Sequence, residues 1–552
     1  MQESALVRRA PDGIFSQQPI DGGFAMTTML SRRDLFGVLA ALGLTPSLAV
    51  REAEALAAST RLGTAKPFSF TRRIAAARER ASLPYGPESP RAADTLEAID
   101  YDRHWQIRFK PDHTVQAAGG KAPLRFFHLG RFFKLPVGIH LVDGDKARQV
   151  LYSPDYFDIP KDNPATSLPD DIGFAGFRVM LPDADRDWLA FLGAAYFRSS
   201  GALDQYGLSA RALCIDVAMP TPEEFPRFTN FYFGASKTSL FTIYADLEGP
   251  RISGAVRWDV NRDGDGKPVV MDMAVRFYPR ADIARLGIGT LTSMFWYDET
   301  NRQSAADWRP EIHDSDGLAI WSGSGERLWR PLNNPRTVVT STFVDRDVKG
   351  FGLCQRDRNF DNYQDDGVFY DRRPTVWVEP TAPWSTGAVQ LVEIPTDDEI
   401  HDNIVAYWLP DKPAVAGAEI AFDYRLTWGA DEPHVPAVGR VVATRLGIGG
   451  VPGQSRPAGV VKYVIDFDGG ELGHYGQQDG VEAVVSASAG TVSGVYALPV
   501  VGTSRWRAVF DFASDGASDP VDMRLYLKAK DKTLTETWLY QHHDETFVWP
   551  VK

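Results

Sequence analysis

Carboxylates and an imidazole crowd at two places where the surrounding residues read as apolar strand. In "RPEIHDSDGLAIW", residues 309–321, His313, Asp314 and Asp316 interrupt such a run. In "IPTDDEIHDNIVAYW", residues 394–408, Asp397, Asp398, Glu399 and Asp402 lead straight into an aromatic strand. Burying such groups is costly unless they are paired or used. A chain with 14 Trp, 19 Tyr and 31 Phe has ample apolar surface for its core without them. Two carboxyl groups from separate loops are the minimum equipment for glycoside hydrolysis, one protonating the leaving oxygen and the other activating water. Solvated turns are the bland alternative for both clusters.

Other chemistries fit less well. His313, Asp314 and Ser315 are adjacent, but neighbouring side chains diverge and no G-x-S-x-G elbow is present, which argues against a serine nucleophile. His313 and Asp316 lack metal-ligand spacing, so no metal is expected, and no cofactor motif is present. "DVNRDGDGKPVV", Asp259 to Val270, opens like a calcium loop but ends on Val270 where a bidentate Glu is needed; a hairpin turn is expected there. Cys214 and Cys354 sit in strand-like runs without CxxC spacing, as two buried thiols or an oxidised pair. A net charge of -13 without any Lys/Arg-rich run argues against nucleic acid or an anionic membrane as the main partner. The aromatic content of 12% suits sugar stacking as well as ordinary core.

Several elements must position these residues. "MTTMLSRRDLFGVLAALGLTPSLAVREAEALAA", residues 26–58, has a basic pair, an apolar stretch, and small residues at Ala55 and Ala57 before a cut. Residues 1–57 are therefore assigned as an export signal, of twin-arginine type at Arg32-Arg33. Residues 1–25 lack export character, which fits a start at Met26 or Met29. The apolar stretch is too short for a stable spanning helix and no later one is long enough, so the mature chain is expected in the periplasm and not across a membrane. From residue 64, runs such as "LFTIYADL", "VVMDMAVRFY", "TVWVEP" and "AEIAFDYRLTW" are broken by Gly, Pro, Asn and Asp, the rhythm of an all-β sandwich or barrel. Helical spacing is confined to residues 69–83 and a brief stretch near "DADRDWLAFLG". The proline-bearing "GADEPHVPAVG", residues 429–439, marks a boundary between a large region, 64–430, and a smaller one, 438–552, with strands spaced as in an immunoglobulin-like sandwich.

The motifs "DIGFAGFRV", "FLGAAYFRSSGALDQYGLSARAL", "EIHDSDGLAIWSGSGERLWRPLNNP", "GFGLCQRDRNFDNYQ", "RRPTVWVEP" and "EIPTDDEIHDNIVAYW" occur in an order that resembles the periplasmic glucan biosynthesis proteins G and D. The resemblance spans roughly residues 66–545, and the twin-arginine-like signal favours the D branch. It implies a large galactose-mutarotase-like β-sandwich followed by a smaller immunoglobulin-like one. It also implies action on the β-1,2-linked glucose backbone of osmoregulated periplasmic glucans, with inversion at the anomeric carbon. On that resemblance Asp402 is the general acid and Asp314 the base-side carboxylate, with Tyr370 and Glu399 near the sugar. Arg373, Trp377 and Trp321 are expected along the cleft walls, and His313 and Asp316 as hydrogen-bonding support for Asp314. Where many relatives read Gly-Glu-Thr-Leu-Asp before the acid, this chain has Asp398-Glu399-Ile400-His401-Asp402, a departure in loop shape. Three readings follow: an inverting endo-β-1,2-glucanase, a β-1,2-glucan transglycosylase, or a non-catalytic glucan-binding scaffold, with a membrane glucan synthase as a candidate partner.

Overall fold

Strand alternation sets the architecture. Along Val269–Pro279 the residues Val269, Met271, Met273, Val275 and Phe277 are buried while those between them are half-buried, the period of two that a pleated sheet imposes. This strand forms a hairpin with Ile252–Arg262, Arg262 opposite Val269. The calcium-loop-like residues are its turn, where Gly264 and Gly266 take φ of 116° and 70°, values open to glycine. The computed structural model describes residues 60–181, 185–193, 195–516, 519–544 and 547. The export segment expected over residues 1–57, with Arg32-Arg33, lies outside the described residues.

The chain is an all-β sandwich. A sixteen-stranded sheet contains, side by side, Ile252–Arg262, Val269–Pro279, Ile420–Gly429, Thr375–Pro380, Gly350–Cys354, Gly317–Trp321 and Arg327–Pro331. A ten-stranded sheet contains Thr386–Glu393, Ile404–Pro410, Leu286–Ser293, Ser209–Ile215 and Tyr196–Ser199 in that order. Large rings from the two sheets meet in the main core: Phe191 stands edge-on to Trp258 at 5.2 Å between centroids, a favoured aromatic geometry.

Residues 430–439 connect the strand Ile420–Gly429 to Arg440–Ile448. Beyond them a four-stranded sheet of Arg440–Ile448, Val460–Asp468, Trp506–Ala513 and Thr491–Pro499 packs over a second core, in which Tyr463 stacks on Phe510 at 4.9 Å. That core also takes in Ala319, Trp329 and Trp377 of the large sheet. The strand Thr537–His542 returns to pair in parallel with Arg327–Pro331, so the last strands extend the large sheet.

The helix expected over residues 69–83 spans Phe70–Ala81, with the Ser69 hydroxyl accepting from the Arg72 N–H as its cap. The brief helix expected near "DADRDWLAFLG" is not there: Asp187–Leu192 is a strand of the ten-stranded sheet, buried at Trp188 through Leu192. A short apolar run reads as either element by period alone, and pairing on both sides decides it. Cys214 and Cys354 are both buried and free. Among the described residues no helix is long and apolar enough to cross a membrane, and no group of three His, Cys, Asp or Glu could hold a metal ion.

Candidate active site

Asp314 and Asp402 come from opposite sheets and are tied to one short segment. Asp314 precedes the strand Gly317–Trp321 of the sixteen-stranded sheet, and Asp402 precedes Ile404–Pro410 of the ten-stranded one. The Asp314 N–H donates to the Met294 carbonyl at 2.8 Å. One residue on, the Phe295 N–H donates to the Asn403 side-chain oxygen at 2.8 Å, and the Asn403 amide nitrogen donates to the carbonyls of Phe295 and Ile394, each at 2.9 Å. Asn403 is buried, so its amide is satisfied by backbone instead of water. A second amide repeats the device: Asn334 donates to the carbonyls of Trp296 and Thr396 and accepts from the Thr396 N–H. The loop bearing Asp402 is thereby stitched at its root to the residues that hold Asp314.

Two arginines face the two carboxylates. Arg373 Nε lies 3.3 Å from Asp314 Oδ1, an ion pair in which neither atom completes a hydrogen bond. Arg198, on the strand Tyr196–Ser199, places Nη2 3.5 Å from Asp402 Oδ2. Burial lifts the Asp314 carboxyl above the usual carboxylate range; the charge of Asp402 lifts it further, while Arg373, Arg198 and His313 oppose the rise. The two carboxylates therefore sense one another across one site.

A chain of contacts leads outward from Asp314. The Arg373 guanidinium lies 4.9 Å from the centre of the Tyr370 ring, and its Nη1 donates to the Tyr206 carbonyl. The Tyr370 hydroxyl donates to Glu399. Burial, together with the charges of Asp314 and Glu399 and against that of Arg373, holds this phenol well above its ordinary pKa, so it remains a donor. Arg309 grips both Glu399 oxygens at 2.9 Å and also donates to Asp365 at 2.7 Å and Asp307 at 2.9 Å. Such bidentate pairing fixes orientation as well as charge.

His313 points the other way. Its Nδ1 and Nε2 stand 3.0 and 3.2 Å from Gln355 and Glu311, so it gives Asp314 no hydrogen bond, as strand alternation requires of adjacent residues. Asp316 likewise turns to the backbone N–H groups of Arg356 and Asp357. The hydrogen-bonding support expected of these two residues is replaced by a charge effect of His313 alone. Behind them lies a cavity of about 390 Å³, lined by Asp298, Glu299, Glu311, His313, Asp316, Arg356 and the 441–445 stretch beyond the boundary, among others. Burial there would lower the His313 imidazole, but Glu311, Asp316 and Asp298 outweigh it and raise it to about 10. Burial raises Asp298 to about 7, helped by Glu311, and Asp316 to about 6, helped by Asp357 and opposed by His313.

Of the residues singled out in the sequence, Asp314, Arg373, Tyr370, Glu399 and Asp402 are brought together. Trp377 and Trp321 are not. Trp377 is 0% exposed in the second core, its ring so close under Gly350 that a Cβ there would stand 2.6 Å from it. It offers no face to a sugar. Trp321 ends the strand that Asp314 precedes, and its ring packs against Arg327 at 3.9 Å, with Lys349 and His434 nearby. Arg198, Arg309 and Asn403 escaped the sequence reading. Arg198 and Asn403 lie inside quoted motifs, but only the folded chain shows what they touch.

The chain matches the family profile described as "Periplasmic glucan biosynthesis protein, MdoG" over residues 68–542. It is 51% identical over 532 residues to glucans biosynthesis protein D 2 of Ralstonia nicotianae, covering 93% of this chain and 97% of that one. It is 47% identical over 513 residues to glucans biosynthesis protein D of Xanthomonas oryzae pv. oryzae, covering 91% and 95%. With glucans biosynthesis protein D of Stenotrophomonas maltophilia the identity is 46% over 488 residues, covering 87% and 91%. A match of this length across both cores and both carboxylate loops makes the chain a member of the MdoG family of periplasmic glucan biosynthesis proteins.

Proposed function

We propose that this protein cleaves the β-1,2-linked glucose backbone of osmoregulated periplasmic glucans as an inverting endo-glucanase. The observation that carries this reading is the convergence of Asp314 and Asp402 from opposite sheets on one segment, each beside an arginine. Asp402 gives its proton to the leaving glycosidic oxygen as the bond to the anomeric carbon breaks. Water attacks that carbon from the other side and passes its proton to Asp314, directly or through a water chain, and the configuration inverts. Arg373 beside Asp314 favours its carboxylate form against burial, which leaves it able to receive that proton. Arg373 holds it in place, and Tyr370 with Glu399 presents donors and acceptors to the sugar hydroxyls. The description of its family supports a periplasmic site and the leader-like residues 26–58 support the twin-arginine route to it, where a membrane glucan synthase would supply nascent chains.

One observation favours transfer to a second sugar: Asp314 is only 7% exposed, and a base screened from bulk water suits a glucan hydroxyl as acceptor. Incubating the mature protein with linear β-1,2-glucan and sizing the products separates the readings. Shorter chains support cleavage. Cyclic or elongated chains, unlabelled when the reaction runs in ¹⁸O-water, support transfer, and unchanged glucan supports a binding scaffold.

A further inference from the structure

Trp308 is 73% exposed, and the next most exposed tryptophan among the described residues, Trp105, reaches 37%. Leaving an indole in water forgoes the burial that makes aromatic residues favourable in a fold. The residue that follows it is held on both sides of its backbone: the Arg309 N–H donates to Asp307 Oδ1 at 2.9 Å, and the Arg309 carbonyl accepts from the Tyr297 hydroxyl at 3.0 Å. The ring is thus presented on a pinned segment, which lowers the ordering cost of using it. Glu399, the residue that Arg309 grips, is followed in the chain by Ile400, which is 55% exposed. Contacts lead from the buried Asp314 through Arg373, Tyr370 and Glu399 to Arg309, the residue that follows Trp308 in the chain.

We propose that Trp308 is an outer sugar platform of the cleft, on which one glucose ring of a bound β-1,2-glucan stacks. The inference rests on the reading of the cleft as a glucan site. Its location outside the cluster of Asp314 and Asp402 fits an endo-acting protein, whose substrate extends past the bond under attack. The apolar face of a glucose ring covers the indole, while Asp307, Glu399 and Asp365, already held by Arg309, accept hydrogen bonds from the ring's hydroxyls. A neutral polymer suits this surface better than a polyanion, given those three carboxylates and the net charge of -13.

The test is equilibrium binding of linear β-1,2-glucan, by calorimetry, to the mature chain carrying Asp402→Asn, so that no turnover intrudes. Adding Trp308→Ala is expected to weaken binding about tenfold, and Trp308→Phe to restore most of it. Saturating glucan is also expected to protect the Asp402→Asn protein from acrylamide quenching of its tryptophan fluorescence, with that protection largely lost in Trp308→Ala. Equal affinity with and without the indole, or quenching indifferent to glucan, overturns the platform while leaving the cleft as a glucan site. No binding by the Asp402→Asn parent overturns both. Cooperative thermal unfolding of each variant confirms that the comparison is between folded proteins.

Discussion

Two places in this molecule crowd carboxylates together, and they differ in what completes them. In the candidate site, Asp314 and Asp402 each meet an arginine at a loose 3.3 or 3.5 Å. In the cavity behind His313, Asp298 accepts from the N–H and hydroxyl of Thr300, Glu299 accepts from the Thr444 N–H, and Asp316 accepts from two backbone N–H groups. One carboxyl oxygen in each place lacks a hydrogen bond, Asp314 Oδ1 beside Arg373 and Asp316 Oδ1 3.6 Å from His313 Nδ1. What differs is the company: arginines stand beside Asp314 and Asp402, whereas backbone N–H groups and a hydroxyl hold the cavity carboxyls. Residue type alone does not show which acids are placed for chemistry; the partners bear on it.

The most severe break of this contrast is Asp402→Asn. An amide cannot deliver a proton, and loss of a general acid lowers the rate by about 10² to 10⁴. New reducing ends released from linear β-1,2-glucan measure it, and near-normal turnover would remove Asp402 from the chemistry. Trp377→Ala should instead act on the fold, lowering stability by about 3 to 5 kcal/mol through the cavity it leaves. Urea titration reads this, and a variant as stable as the parent would mean that the ring is not core.

Arg373→Met sharpens the electrostatic side. Its charge opposes the burial that raises Asp314, so its removal should raise that carboxyl further and shift the acidic limb of the kcat/KM profile to higher pH, with a loss of about tenfold or more at pH 7. An unmoved limb would separate Arg373 from the base.

The smallest effect is expected from Asp298→Asn in the cavity. The folded pKa of Asp298, about 7, lies above its unfolded value. Its contribution to stability is therefore fully present below the unfolded pKa of about 4 and is lost as pH rises through about 7. The variant should gain on the parent between pH 5 and pH 8, by on the order of 1 kcal/mol. Melting curves at the two pH values check the sign, and a parent that gains on the variant contradicts it.

The strands were legible because alternation is local: Val269–Pro279 and Val521–Ala529 each show their buried face in the sequence itself. The grouping of Asp314, Tyr370, Glu399 and Asp402 was legible where long motifs carried it. Alternation says which residues share a face but not what that face meets. Thr375–Pro380 is a central strand with Val376, Trp377 and Val378 all buried, so no choice of face could have put Trp377 on the cleft. Arg309 with Glu399, and Asn403 with Phe295, join residues about ninety or more apart in the chain, and no local pattern marks such pairs. Trp308 lay just outside the stretch that drew attention to His313 and Asp314.

The central claim is that Asp314 and Asp402 act together on a β-1,2-glucosidic bond with inversion. Proton NMR during the first minutes of reaction with linear β-1,2-glucan reads it directly, before the new ends equilibrate. The account predicts new reducing ends in the α configuration from the parent protein and none from Asp402→Asn or Asp314→Asn. New ends in the β configuration, or α ends from either variant at the parent's rate, would contradict it.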